Sequence, residues 1–277
     1  MKNNICKWIC SAAGKVSIAL IFVSVLLLSL VFSTYGESFL SRETANTINN
    51  ILVGIATSLI GIVVTVLFVQ YAFDKQDDDR KRRDEIMAIK RYDKYMETLI
   101  RKFLKFYISV TTRRRDWSKA DLEHPFEHRF KFSDIADMYS MSMYLSEGFL
   151  EPSIKLFYHA EEELKQYMLR MLENVDFKYN MPLEKILLDF VTKSVDLDMR
   201  GNILGAINTK FGNEPAIECI SKDIANENYD WLDKFQRGEL KGNSMLPYVM
   251  FYYSIQDQVR MIREYTDYIN QLNCNYH

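Results

Sequence analysis

The chain lacks every short signature that would mark a catalytic centre. Its 277 residues contain no G-x-S-x-G, no G-x-x-x-x-G-K-[ST], no G-x-G-x-x-G, no H-E-x-x-H and no C-x-x-C. Nucleophile elbows, phosphate loops, dinucleotide turns, zincin pairs and dithiol motifs are therefore not carried in recognisable form, and no enzymatic activity, cofactor or small-molecule substrate is expected. The four cysteines, Cys6, Cys10, Cys219 and Cys274, repeat no spacing, which argues against a disulfide framework or a zinc cage and for reduced thiols. Cys6 and Cys10 flank the first apolar run, where reversible acylation is the alternative to ordinary thiols. Runs of alternating β-branched residues are absent, so no substantial sheet is expected. Charge is missing from two long stretches near the N-terminus, and those two stretches dominate the reading.

Val16 to Ser33 holds eighteen residues without a charge, which at 1.5 Å per residue nearly crosses a hydrocarbon core of about 30 Å. A cleaved signal peptide is the competing reading, since Lys2, Lys7 and Lys15 precede it. The apolar run exceeds the usual length for one and no A-x-A site follows, which favours an uncleaved anchor. Ile51 to Phe73 holds twenty-three residues with a single amide, Gln70, enough to span with some tilt. Between the two, Thr34 to Asn50 offers only Arg42 against Glu37 and Glu43. Basic residues flank the outer ends of the pair, namely the three lysines before it and Lys75, Arg80, Lys81, Arg82 and Arg83 after it. The positive-inside rule then places both termini in the cytoplasm of a multi-pass membrane protein.

Within the second span, Gly54, Ser58, Gly61 and Thr65 recur every three or four residues and gather small side chains on one helical face. Such a face suits packing against the first span or against a second copy of the chain. The other reading is a narrow polar path lined by Thr57, Ser58, Gly61 and Thr65 in an oligomer. Neither span contains Asp, Glu, Lys, Arg or His, so a proton relay or charged selectivity ring inside the bilayer has no carrier.

No Pro or Gly occurs from Asp74 to His124, and Ile86, Ile89, Tyr92, Met96, Leu99, Phe103, Phe106 and Val110 step by three and four residues. The spacing predicts that the second span continues as one long helix to about Val110, roughly 90 Å from Ile51. Its stripe suits a coiled-coil seam between subunits or the core face of a single-chain bundle, and its aromatic content leans toward the bundle. Residues 74–115 carry 14 Lys and Arg against 8 Asp and Glu, whereas residues 116–277 carry 17 against 27. Three regions follow: a membrane domain (1–73), a basic helical stalk (74–115) and an acidic helical cytoplasmic domain (116–277). Arg80, Lys81, Arg82 and Arg83 lie next to the span, where cations attract anionic headgroups, and Asp77, Asp78 and Asp79 are placed to pair with them along the helix. Arg113, Arg114 and Arg115 would contact the acidic domain or a nucleic-acid partner, or else form a solvated helix end.

Beyond a break at Trp117 to Phe132, the pattern predicts helices from Asp134 to about Glu147, capped by Ser133 and stopped by Gly148. Others are expected from Pro152 to about Asn174, from Pro182 to about Val195, in pieces near Ile203–Phe211 and Ala216–Phe235, and from Leu246 to Leu272. The fold class is therefore all-α: two transmembrane helices, a long cytoplasmic helix and a helical bundle. His124 and His128 are four apart, as metal ligands on a helix would be, but Pro125 lies between them and a packing or surface role is preferred. Glu161, Glu162 and Glu163 read as a solvated face, and Tyr248, Phe251, Tyr252 and Tyr253 as core.

The layout of spans 16–33 and 51–73, charged stalk and closing segment Tyr248–Ile269 (YVMFYYSIQDQVRMIREYTDYI) resembles two-transmembrane effectors of bacterial anti-phage abortive-infection systems, including the membrane effectors of retrons. The resemblance rests on layout and on no specific motif. It implies a toxic, oligomeric protein of the bacterial inner membrane. Such a protein is held silent by a regulatory partner complex, such as a reverse transcriptase with its nucleic acid, and is released on infection. A membrane-anchored sensor or scaffold whose cytoplasmic helices bind a protein or nucleic acid is the alternative.

Overall fold

The computed structural model describes residues 12–32, 42–144 and 150–275. It is mostly helical and divides into two units, 1–83 and 84–277, each considered separately.

In the first unit, α1 (Ala12–Phe32) and the leading part of α2 (Arg42–Val110) are long and apolar enough to cross a membrane. The second begins at Arg42, nine residues ahead of the apolar run that starts at Ile51. Thr34 to Ser41, and Cys6 and Cys10, lie outside the described residues. Each helix buries one narrow face, marked by Ser17 and Ser24 on α1 and by Ala45, Ala56 and Val63 on α2. The rest is exposed grease: Phe22 is 64%, Phe68 71% and Phe73 64% accessible. Apolar surface on this scale is costly in water and costs nothing in hydrocarbon.

The α2 helix continues without interruption to Val110, as expected from a stretch without Pro or Gly. In the second unit its apolar stripe is core. Ile86, Ile89, Met96, Leu99, Phe103, Phe106 and Val110 are buried, and the Phe103 ring lies 5.2 Å from Phe157 and 6.3 Å from Phe190. Of the two uses open to that stripe, the single-chain bundle is the one observed. The two units divide after Arg83, so residues 84–110 belong with the bundle rather than with a separate stalk.

Three helices pack around this one. They are α3 (Ser153–Asn174), α4 (Met181–Asp196) and α8 (Leu246–Asn275), with α4 seated against both α3 and α8. Pro152 and Pro182 stand at the N-termini of α3 and α4, where a missing N–H costs nothing. Tyr248, Phe251 and Tyr252 are buried, with the Phe251 ring 5.6 Å from Phe157.

Three sequence expectations need correction. The helix from Asp134 does not form: Phe132–Asp137 is a short 3-10 turn started by Lys131 and Asp134, not capped by Ser133. The chain then extends, because the Met138 and Ser140 carbonyls accept from the Ile154 and Ser153 amides at the start of α3 rather than from their own helix. The proposed stop at Gly148 lies outside the described residues. Ile203–Phe211 is divided among α5 (Arg200–Gly205), a 3-10 turn and β1 (Lys210–Phe211), which pairs with β2 (Glu214–Pro215) across a tight turn. Gly212 takes φ +61° there, a conformation that favours glycine. Ala216–Phe235 is two helices, α6 (Ala216–Ala225) and α7 (Trp231–Gln236). Asn226 accepts from the Asn228 amide between them, and Asp230 caps α7 by accepting from the Asp233 amide at 2.9 Å.

Candidate functional site

The small residues of the apolar part of α2 do not sit on the buried face of their helix. At 100° per residue, Gly54, Ser58, Gly61 and Thr65 fall within about 60° of arc, about 180° from Ala45, Ala56 and Val63. All four, and Thr57 at the edge of the stripe, are exposed within the unit. A Cβ built at Gly54 or Gly61 meets nothing within 4 Å. The hydroxyls turn inward on their own helix: Ser58 donates to the Gly54 carbonyl at 2.8 Å, Thr65 to Gly61 at 2.9 Å and Thr57 to Val53 at 2.9 Å. Each polar group is thereby satisfied without water. The result is a smooth groove of small, internally bonded residues on the outward side of the helix.

Arg80, Lys81, Arg82 and Arg83 follow on exposed turns. Lys81 pairs with Asp77 at 2.6 Å, one turn back, an exposed interaction of small energetic weight. Arg113, Arg114 and Arg115 lie just past the end of α2. The Arg114 amide donates to Asp137 at 2.9 Å, its guanidinium lies 5.9 Å from the Trp117 ring, and the Arg115 Nε donates to Asp116 at 3.3 Å. Of the three side chains, the Arg115 guanidinium pairs with a carboxylate of its own unit, whereas the Arg113 Nε is buried without a hydrogen-bond partner.

The carboxylates Glu161, Glu162 and Glu163 splay apart, and the expectation that they form a solvated face fails at the first of them. Glu161 is 5% exposed. Gln258 of α8 donates to it, and also to Ser194 of α4 at 3.2 Å. Arg200 reaches Glu161 at 3.5 Å and Glu162 at 3.1 Å, with its guanidinium 5.1 Å from the Tyr158 ring. Glu163 instead holds Lys102 of α2 at 2.7 Å. The cluster therefore ties α3, α4, α5 and α8 together. The sequence carries a signal for it. Glu161, Ser194 and Gln258 each occupy a position in the apolar stripe of an amphipathic helix, where a polar residue needs a partner.

Burial pushes the Glu161 carboxyl up, against the hydrogen bond from Gln258 and the charge of Arg200. Glu162 is also raised by partial burial, but Lys165, Gln166 and Arg200 outweigh this and hold it at about 2, below its ordinary 4.5. A carboxyl depressed on folding contributes stability that is present above the unfolded value and lost as pH falls through the folded one. Melting temperature should therefore fall between about pH 4.5 and 2, and fall less steeply in Glu162→Gln. Thermal melts across that range, with identical slopes for the two proteins as the contrary result, check this.

The two histidines are separately engaged. His124 pairs with Asp121 at 2.9 Å, whereas His128 Nε2 lies 2.9 Å from the Thr111 hydroxyl. Among the described residues, no three His, Cys, Asp or Glu side chains gather to hold a metal ion. Comparison with protein-family models, curated proteins and solved structures gives no match for this chain.

Proposed function

We propose that this chain is a membrane-embedded toxic effector of an anti-phage defence system. In this reading it resides in the bacterial inner membrane with both termini cytoplasmic, and it disrupts that membrane when a regulatory partner complex releases it. The observation that carries the reading is the outward position of the Gly54, Ser58, Gly61 and Thr65 face. Between lipid-exposed helices there is no hydrophobic drive to associate, and small residues that let backbones approach are the main source of attraction. Two spans cannot enclose a pore alone, so the lesion requires several copies, with Thr57, Ser58 and Thr65 at the contacts or along the path. Release by partners acts as a bias between closed and open arrangements of that oligomer. The basic run Arg80 to Arg83 holds the cytoplasmic edge of the span at anionic headgroups. Expressing the chain without partners while following membrane potential tests the proposal: depolarisation should precede loss of viability. Toxicity with normal polarisation would refute it.

The second unit favours a rival, a tethered sensor or scaffold, because residues 84–277 contain one continuous core of their own. A fragment starting at Asp84 is expected to fold, to be recovered without detergent and to be harmless in cells. Circular dichroism and plating efficiency read both properties. Full activity of the soluble fragment would make tethering the right description and remove the need for a pore.

A further inference from the structure

A groove of about 370 Å³ lies between the segment at residues 128–130 and the solvent side of α8. Its lining combines three arginines, Arg129, Arg260 and Arg263, with Tyr107, His128, Phe130, Gln256 and Val259, and it contains no carboxylate. The arginines differ in what already holds them. Arg260 is fixed by Asp257 at 3.0 Å and Glu264 at 3.1 Å. Arg263 donates to the backbone carbonyl of Phe126 and lies 5.4 Å from the Phe126 ring, with no carboxylate partner among the described residues. Arg129 is exposed and likewise has no carboxylate partner among them. Two guanidinium groups without a carboxylate partner among the described residues therefore line one concavity.

The wall is ordered and aromatic. The Tyr107 hydroxyl donates to the His128 carbonyl at 3.2 Å, and the His128 and Phe130 rings are parallel, with centroids 6.2 Å apart. Phe130 and Val259 are only half-buried and leave apolar surface at the rim. Asp257 and Glu264 on α8 pair with Arg260, and Asp134 acts on His128 from the adjoining segment, which also carries Glu127 and Lys131.

We propose that this groove binds a nucleotide. Guanidinium groups match phosphate oxygens in geometry as well as charge, the half-buried Phe130, packed against Tyr107, His128 and Tyr252, leaves apolar surface against which a base can rest, and the volume falls in the range of small-molecule sites. The inference is independent of toxicity and of membrane insertion. Isothermal titration of the full chain in detergent, with ATP, inorganic phosphate and a single-stranded oligonucleotide as probes, tests it. Saturable ATP binding at least about tenfold tighter than phosphate is expected, since the base adds contacts that phosphate lacks. Arg129→Glu should weaken ATP binding by about tenfold or more without changing the melting temperature, because Arg129 supports no other group. Arg263→Lys should weaken it as well while keeping a donor for Phe126. Absence of saturable ATP binding, equal affinity for phosphate, unchanged binding by Arg129→Glu, or tighter binding of the oligonucleotide would each overturn the assignment.

Discussion

Under the proposed function, Gly61→Leu is expected to abolish toxicity while leaving synthesis and membrane insertion unchanged. Within one copy, a Cβ at this position meets nothing within 4 Å, and the helix already exposes Ile60 and Ile62 beside it, so a leucine is accommodated in lipid at no cost. Between copies the result reverses. Forcing a bulky side chain into a close helix contact costs about 1–3 kcal/mol, roughly tenfold or more in association at each interface, and the loss compounds around a ring. Plating efficiency on induction, with carbonate extraction as the insertion control, reads the outcome. Ile55→Leu, on a different arc of the same helix, should remain fully toxic. A Gly61→Leu protein that kills as well as the parent would mean that the stripe is not the contact face.

The second large effect is on stability. Glu161→Ala should destabilise the bundle by about 3 kcal/mol, because removing one partner of a buried ionic cluster strands the others. In a domain of this size that is a drop of about 6–12 °C in melting temperature. Gln258 would lose the acceptor for one of its amide hydrogens, and Arg200 would keep only Glu162. Glu163→Ala is the comparison. Its ion pair with Lys102 is half-exposed, and surface pairs are worth about 0–1 kcal/mol. Similar melting curves for the two variants would show that Glu161 is not the keystone its burial indicates.

Much of this architecture was readable from residue order alone. The apolar spans, the unbroken course of α2 and the proline-started helices α3 and α4 all follow from period and punctuation, which are local properties. What escaped was decided by partners distant in sequence. Nothing near Asp134 announces that the Met138 and Ser140 carbonyls will be taken by amides at Ser153 and Ile154, and this diversion is what prevents a helix. The split between α6 and α7 was within reach, since Asn226, Asn228 and Asp230 are turn and cap residues in an otherwise helical run. The small-residue stripe was visible as a stripe, yet its position opposite the buried face required coordinates. The guanidinium groove joins Tyr107, the 128–130 segment and α8, and no sequence pattern unites pieces so far apart.

Glu161, Ser194 and Gln258 also bear on how uniquely the bundle is assembled. Leucine-like side chains are interchangeable, and a helix studded with them can slide by a turn against its neighbours with small loss, whereas a lone carboxylate can satisfy its hydrogen bonds at one offset only. Substituting all three together by apolar residues of similar volume would then give a protein harder to melt but less faithful to a single alignment of α3, α4 and α8. Broadened amide resonances accompanied by a raised denaturation midpoint would be its signature.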